Sequence, residues 1–139
     1  MAHFAIIDEN NIVENVLVVN NDVAITEEKG VAFLKRILNN EDLKIRQTSY
    51  NTRHGVHIKG GTPLRGNTAA PGHIYDEAND VFYRPRPVDV NNLSCESWTI
   101  SGPTWEWQAP KEMPTAEGKW YEWDEAAQEW IEFDASSIE

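Results

Sequence analysis

Residues 123–133 read WDEAAQEWIEF, and residues 75–85 read YDEANDVFYRP. Each opens with an aromatic residue and Asp-Glu-Ala, and each places a second aromatic seven positions after the first. Trp98 and Trp105 repeat that spacing around an unrelated middle, TISGPT. Taken alone, DEAAQEW has high helix propensity, with Asp124 as an N-cap. The middle copy argues against a helical repeat, because Ser101-Gly102-Pro103 does not fit a helix interior. The flanks KWYEW, EWIEF and VFYRP are aromatic-rich and strand-like. Equal spacing around unlike middles therefore predicts three β-hairpins, each clasped by a cross-strand aromatic pair. A helical turn over 124–129 is the competing reading. Prolines 85, 87, 103, 110 and 114 then fall at strand ends and linkers, where no ladder donor is lost.

Upstream, HFAIIDENNIVENVLVVN (3–20) holds two apolar, β-branched runs separated by Asp8-Glu9-Asn10-Asn11, which is turn chemistry, and predicts a hairpin. Thr26 followed by Glu27 and Glu28 is a helix start, and Lys35-Arg36 before Asn39-Asn40 is a helix end. Val31, Leu34, Ile37 and Leu38 recur at helical spacing, so one amphipathic helix over roughly 26–39 should lie on the N-terminal sheet. LKIRQTSYN (43–51) alternates and reads as a third strand. From Asn51 to Gly72 the chain carries five glycines and two prolines, the composition of a long special loop or an arm crossing a surface. The expected class is α+β, mostly β. A hairpin, helix and strand unit (1–50) precedes a Gly-rich basic arm (51–72) and an aromatic hairpin region with an acidic end (73–139).

Composition excludes some functions. The formal net charge of −11 opposes a general nucleic-acid role, which needs clustered Lys and Arg on phosphates. The charge is uneven: Lys44 to Arg86 holds seven bases against three acids, while Pro110 to Glu139 holds nine acids against two lysines. Such polarity matches two parts of one fold, or copies head to tail. No run approaches the roughly 20 apolar residues of a membrane span. MAHFAIIDEN lacks the basic flank and long apolar core of a signal peptide, so a soluble protein made in a cytoplasm is expected. The single Cys95 can form no internal disulfide and no thiolate zinc site on its own. Six tryptophans supply much of the buriable surface.

Few constellations carry chemistry. His54 and His57 form His-x-x-His with His73 downstream, a weak metal set without the helix that makes His-Glu-x-x-His rigid. Loop histidines bonding backbone or solvent are the plainer reading, and no metal or other cofactor is expected. Asp8-Glu9, Asp76-Glu77 and Asp124-Glu125 open turns and do not present converging carboxylates, so no catalytic pair is expected. GGTPLRG and HIKGG match neither phosphate-binding fingerprint. Arg53, Lys59 and Arg65 give the arm a cationic side that could grip a partner, a phosphate or an acidic neighbour within the fold. Trp107 and Trp120 lie outside the spaced pairs and are candidate interface anchors or sugar platforms.

The order of motifs MAHFAIIDENNIVENVLVVNND, EEKGVAFLKRIL, IRQTSYNTRHGVHIKGGTPLRGN, IYDEANDVFYRPRP and YEWDEAAQEWIEF resembles a small protein family of marine tailed phages, notably those infecting cyanobacteria. The resemblance spans nearly the whole chain. Family members carry Gly-Gly-Val-His-Tyr where this chain has His54-Gly55-Val56-His57-Ile58, and Asn-Tyr-Ala-Gly-Ile-Gly where it has NTAAPGH. Residue His54 thus departs from the pattern, which weakens a metal reading. The resemblance implies a phage origin and a virion component, and no enzymatic activity is expected. The expected role is capsid decoration by many copies bound to a major capsid protein, with a tail or neck component or a glycan-binding module as the alternative.

Overall fold

The structure, a computed structural model, describes residues 1–53, 55–57 and 64–134. The chain forms two compact units: unit 1 comprises Met1–Pro85 with Ser101–Glu106, and unit 2 comprises Arg86–Ile100 with Trp107–Glu139. The class is α+β and mostly β, as the sequence implies.

Unit 1 is built on an antiparallel three-stranded sheet of β1 (Ala2–Ile7), β2 (Val13–Val19) and β3 (Lys44–Thr48), in the order β2-β1-β3. The expected DENN turn joins β1 to β2, and the Asp8 carboxylate accepts from the N–H groups of Asn10 (2.8 Å) and Ile12 (2.9 Å). Asn11 follows at φ 63°, a left-handed position that Asn tolerates. The central strand is apolar at successive positions because both of its faces are covered. On one face Ala2, Phe4, Ile6, Val19 and Ile45 pack with Leu34 of α1 (Glu27–Ile37). On the other, Ala5, Ile7 and Val13 pack with Ala69, Tyr75 and Phe82.

The helix starts and stops where its cap chemistry dictates. Thr26 Oγ1 accepts from the Lys29 N–H (3.2 Å). At the other end Asn39 sits at φ 52°, its N–H bonds Arg36 O, and the Asn40 N–H bonds Lys35 O, which is the Schellman arrangement. The buried stripe differs from the expected one. Gly30 and Leu34 are buried, with Val31 and Phe33 beside them, whereas Ile37 and Leu38 are exposed. Gly30 is the reason: a Cβ there would collide with the Phe4 ring, so the bare backbone lets α1 come closest at that turn.

The first aromatic hairpin, β6 (Ile74–Asp76) with β7 (Val81–Tyr83), pairs Tyr75 with Phe82, their rings 5.2 Å apart. It belongs to unit 1, since both rings fill the second core; the hairpin region therefore divides near Pro85 instead of forming one block from 73 to 139. The third hairpin, β8 (Lys119–Asp124) with β9 (Glu129–Asp134), pairs Trp123 with Trp130 at 5.2 Å. Its middle is a tight turn in which Asp124 Oδ1 accepts from Ala127 N (3.1 Å), so Asp-Glu is turn chemistry.

The middle copy departs from expectation. Its closing pair is an isolated bridge between Thr99 and Gln108, a register that does not set Trp98 opposite Trp105. Trp98 joins Trp123 and Trp130 in unit 2, at 6.0 and 5.9 Å. Trp105, in unit 1, lies parallel to Tyr83 at 6.2 Å with an interplanar angle of 12°. Asn67 Nδ2 fixes it by donating to the carbonyls of Phe82 (3.0 Å) and Trp105 (3.1 Å).

The Gly-rich stretch is pinned at both described ends. Short strands β4 (Thr52–Arg53) and β5 (Val56–His57) pair, and Thr52 is wholly buried. Thr52 Oγ1 accepts from Leu64 N (3.1 Å), Thr52 O from Thr68 N (2.8 Å), and Thr48 Oγ1 from Ala69 N (2.8 Å). These bonds stitch the return leg onto the sheet, so 64–69 is part of the fold.

Candidate functional site

Arg65 corrects the arm reading. Its guanidinium bonds Glu27 Oε1 (2.5 Å), Asp80 Oδ1 (2.8 Å) and the Gln47 carbonyl (2.9 Å), and its side chain is only 13% exposed. Tyr75 Oη also donates to Asp80 Oδ1. Burial pulls the Arg65 pKa down, but the bonds to Glu27 and Asp80 outweigh it and hold the charge in place. Burial raises Asp80, yet Tyr75 and Arg65 overcome that and keep its carboxyl below the ordinary range. Of the alternatives left open by the sequence, Arg65 takes the acidic neighbour within the fold. Arg65→Met is expected to cost about 1–3 kcal/mol: breaking a buried pair is expensive, but the exposure of Asp80 discounts it. Arg65→Lys should recover only part, because a single ammonium cannot reach three acceptors as a fork does. Chemical denaturation of the three proteins checks this.

Lys59 and His54 lie outside the described residues, as do the side chains of Arg53 and His57. His73 is half-buried, and its Nδ1 has no hydrogen-bond partner among the described residues. Burial and the nearby Arg84 lower its pKa, against a bond involving the Thr68 backbone. A histidine held neutral in the fold adds stability above its ordinary pKa of 6.5 and loses it as pH falls through the lowered value. The expected result is stability that declines as pH falls from just above the ordinary value of 6.5 through the lowered one, a decline that His73→Gln flattens. The acid limb at lower pH should persist in the variant, because Asp80, Asp89 and Glu125, all depressed, still protonate there. Urea midpoints across pH measure both. Among the described residues no group of three His, Cys, Asp or Glu side chains is placed to hold a metal ion.

In unit 2 a carboxylate knot organises the surface. Asp89 Oδ1 accepts from Asn91 N (2.9 Å) and Leu93 N (2.8 Å), and Oδ2 from Glu125 N (2.8 Å). Glu125 in turn accepts from Ser97 N (3.0 Å), Ser97 Oγ (2.7 Å) and Trp123 Nε1 (2.9 Å). The Glu125 backbone bond leads the causes that depress Asp89, and the Ser97 hydroxyl leads those that depress Glu125. Cys95 lies buried beside them, its thiol pushed up by burial and by both carboxylates, the reverse of what a nucleophilic thiol needs. The knot aims Asp89 inward and leaves Val88, Val90 and Leu93 exposed at 57%, 40% and 49%.

The β8–β9 register then sorts side chains onto two faces. Trp123 and Trp130 share one face with Tyr121, Glu132 and Lys119. There Glu132 accepts from Lys119 Nζ (3.2 Å) and Tyr121 Oη (3.0 Å). The opposite face carries Trp120 paired with Phe133, Glu122 with Ile131, and Asp124 with Glu129. Trp120 and Phe133 stack at 5.6 Å and 14°, both half-buried, with carboxylates along the rest of that face. Trp107, the other candidate anchor, is half-buried with the Arg86 guanidinium 4.5 Å over its ring. Phe133 was readable beside Trp120 from the hairpin register; the Val88–Leu93 knuckle was not, since it depends on Asp89 turning its carboxylate onto the N–H groups of Asn91, Leu93 and the distant Glu125.

Unit 1 also has an open depression of about 310 Å³ lined by Ile7, Asp8, Glu9, Glu14, Asp42, Leu43 and Lys44. Asp8 is engaged in the turn, and Lys44 Nζ reaches Asn11 Oδ1 (2.7 Å) and Glu77 (3.2 Å). No helix among the described residues is long and apolar enough to cross a membrane. Compared with known proteins, the chain matches no family model, and neither a curated protein nor a solved structure is significantly similar to it.

Proposed function

We propose that the chain is a non-enzymatic structural protein of a tailed-phage particle, an accessory protein that decorates or cements the capsid in many copies. The observation that supports it most is the thin core of unit 2. Among its described residues only Cys95 and Trp123 are buried apolar side chains, while Val88, Val90, Leu93 and Met113 stand exposed. A unit that small buries too little to be robust alone and gains from a partner that covers its apolar side chains. The resemblance of its motif order to a marine phage family supplies the setting.

Quantitative mass spectrometry of purified particles tests this reading. Many copies per particle, comparable to the major capsid protein, is the expected result. A handful per particle would move the chain to the neck or tail, and none would end the reading. A glycan-binding role on a tail is the second reading, favoured by the parallel Trp120 and Phe133 rings beside acidic neighbours. It requires glycan-array binding that Trp120→Ala abolishes while assembly persists.

A further inference from the structure

The strand β9 is the last in a two-stranded sheet, and its regular six-residue ladder with β8 contains no bulge, glycine or proline. Its inner edge is paired with β8 along the whole length. The outer edge of β8 is already met at one point, where Val90 N donates to Trp123 O (3.0 Å). From Glu129 to Phe133, β9 shows no backbone bond to any described residue other than those of β8. A regular strand edge left unpaired is what natural sheets normally cover or disrupt. Both faces of this hairpin mix apolar with acidic side chains, Trp123 and Trp130 with Glu132 on one and Trp120, Ile131 and Phe133 with Glu122 and Glu129 on the other, so an added strand would extend two such mixed surfaces at once.

Charge selects the occupant. Strand β9 carries Glu129, Glu132 and Asp134 and no base, and unit 2 has eleven acidic against three basic residues, a net −8. Antiparallel pairing of two β9 strands about their centre would set Glu129 opposite Asp134 twice, and like charges directly opposed are destabilising. A second copy is thereby disfavoured at this edge, and a cationic strand favoured. We propose that the outer edge of β9 is a strand-addition site for an extended segment of a partner protein that alternates apolar with Lys or Arg residues. This rests on the interaction-protein reading above and names the chemistry of its partner.

Short synthetic peptides test it on the full chain: valine alternating with lysine, valine alternating with glutamate, and the lysine peptide N-methylated at alternate amides. The lysine peptide should bind roughly tenfold or more tightly than either control, weaken with salt, and slow amide exchange at 129–134. Neutralising the strand (Glu129→Gln, Glu132→Gln, Asp134→Asn) should weaken it by a similar factor, with circular dichroism confirming the fold. Equal binding of the N-methylated peptide would overturn the proposal, because the contact would then be charge alone. Failure of every peptide would overturn it too, as would concentration-dependent dimers that protect β9. Particle copy number is independent of these outcomes, so a chain abundant on particles but blind to the lysine peptide would sink the strand-addition site alone.

Discussion

Trp123→Ala is expected to cost about 3–5 kcal/mol and to unfold unit 2 while unit 1 stays folded. Trp123 is 3% exposed and is the larger of the two buried apolar side chains described there. Its ring touches Trp98 and Trp130, its indole N–H bonds Glu125, and its carbonyl receives Val90. Removing it opens a cavity and frees the carboxylate that holds Ser97. A domain's entire stability is commonly of order 5–15 kcal/mol, and a unit with so small a core sits at the bottom of that range. Hydrogen exchange resolved by segment is the readout: protection should vanish over 86–100 and 107–134 and persist in β1, β3 and α1. Trp123→Phe keeps the hydrophobic ring and loses only the N–H bond, so it should fall between wild type and alanine.

The second large effect lies at the contact between α1 and β1. Phe4 is completely buried, and Phe4→Ala should cost about 3–5 kcal/mol. Gly30→Ala is the more telling change. On helix propensity alone it should stabilise by about 1 kcal/mol. The added methyl, however, would occupy space held by the Phe4 ring, and overpacking costs about 1–3 kcal/mol. A net loss is expected. Phe4→Leu, which shortens the opposing side chain, should convert Gly30→Ala from harmful towards neutral, a coupling that a double-mutant cycle by thermal unfolding would measure. Additive losses would mean that the glycine is not there for the ring.

What the sequence made legible was local. The Asp8 turn, the Thr26 cap and the Asn39 stop each depend on residues within a few positions, and all three form as read. Two of the three aromatic clasps form for the same reason, a short polar turn that returns the strand onto itself. The middle clasp fails because spacing does not fix register: its closing pair is Thr99 with Gln108, which leaves Trp98 and Trp105 with other partners. Which of its open alternatives Arg65 takes was hidden for a non-local reason. Glu27 and Asp80 lie far from it along the chain, and the fold brings them together. Equally hidden was the Asp89 knot, since nothing in VDVNNLS says that its acid will receive the Glu125 N–H. Trp120 could be singled out as an odd tryptophan, but its acidic, apolar face needed the register of β8 against β9.

The central claim is that unit 2 is completed by a partner. Hydrogen–deuterium exchange of the free chain against the chain on purified particles tests it most directly. In the free chain only the β9 amides bonded to β8 should be protected, so exchange over 129–134 is expected to be partly protected there and to slow strongly on the particle, with little change in β1 and β3. Strand β9 protected equally in both states would contradict it.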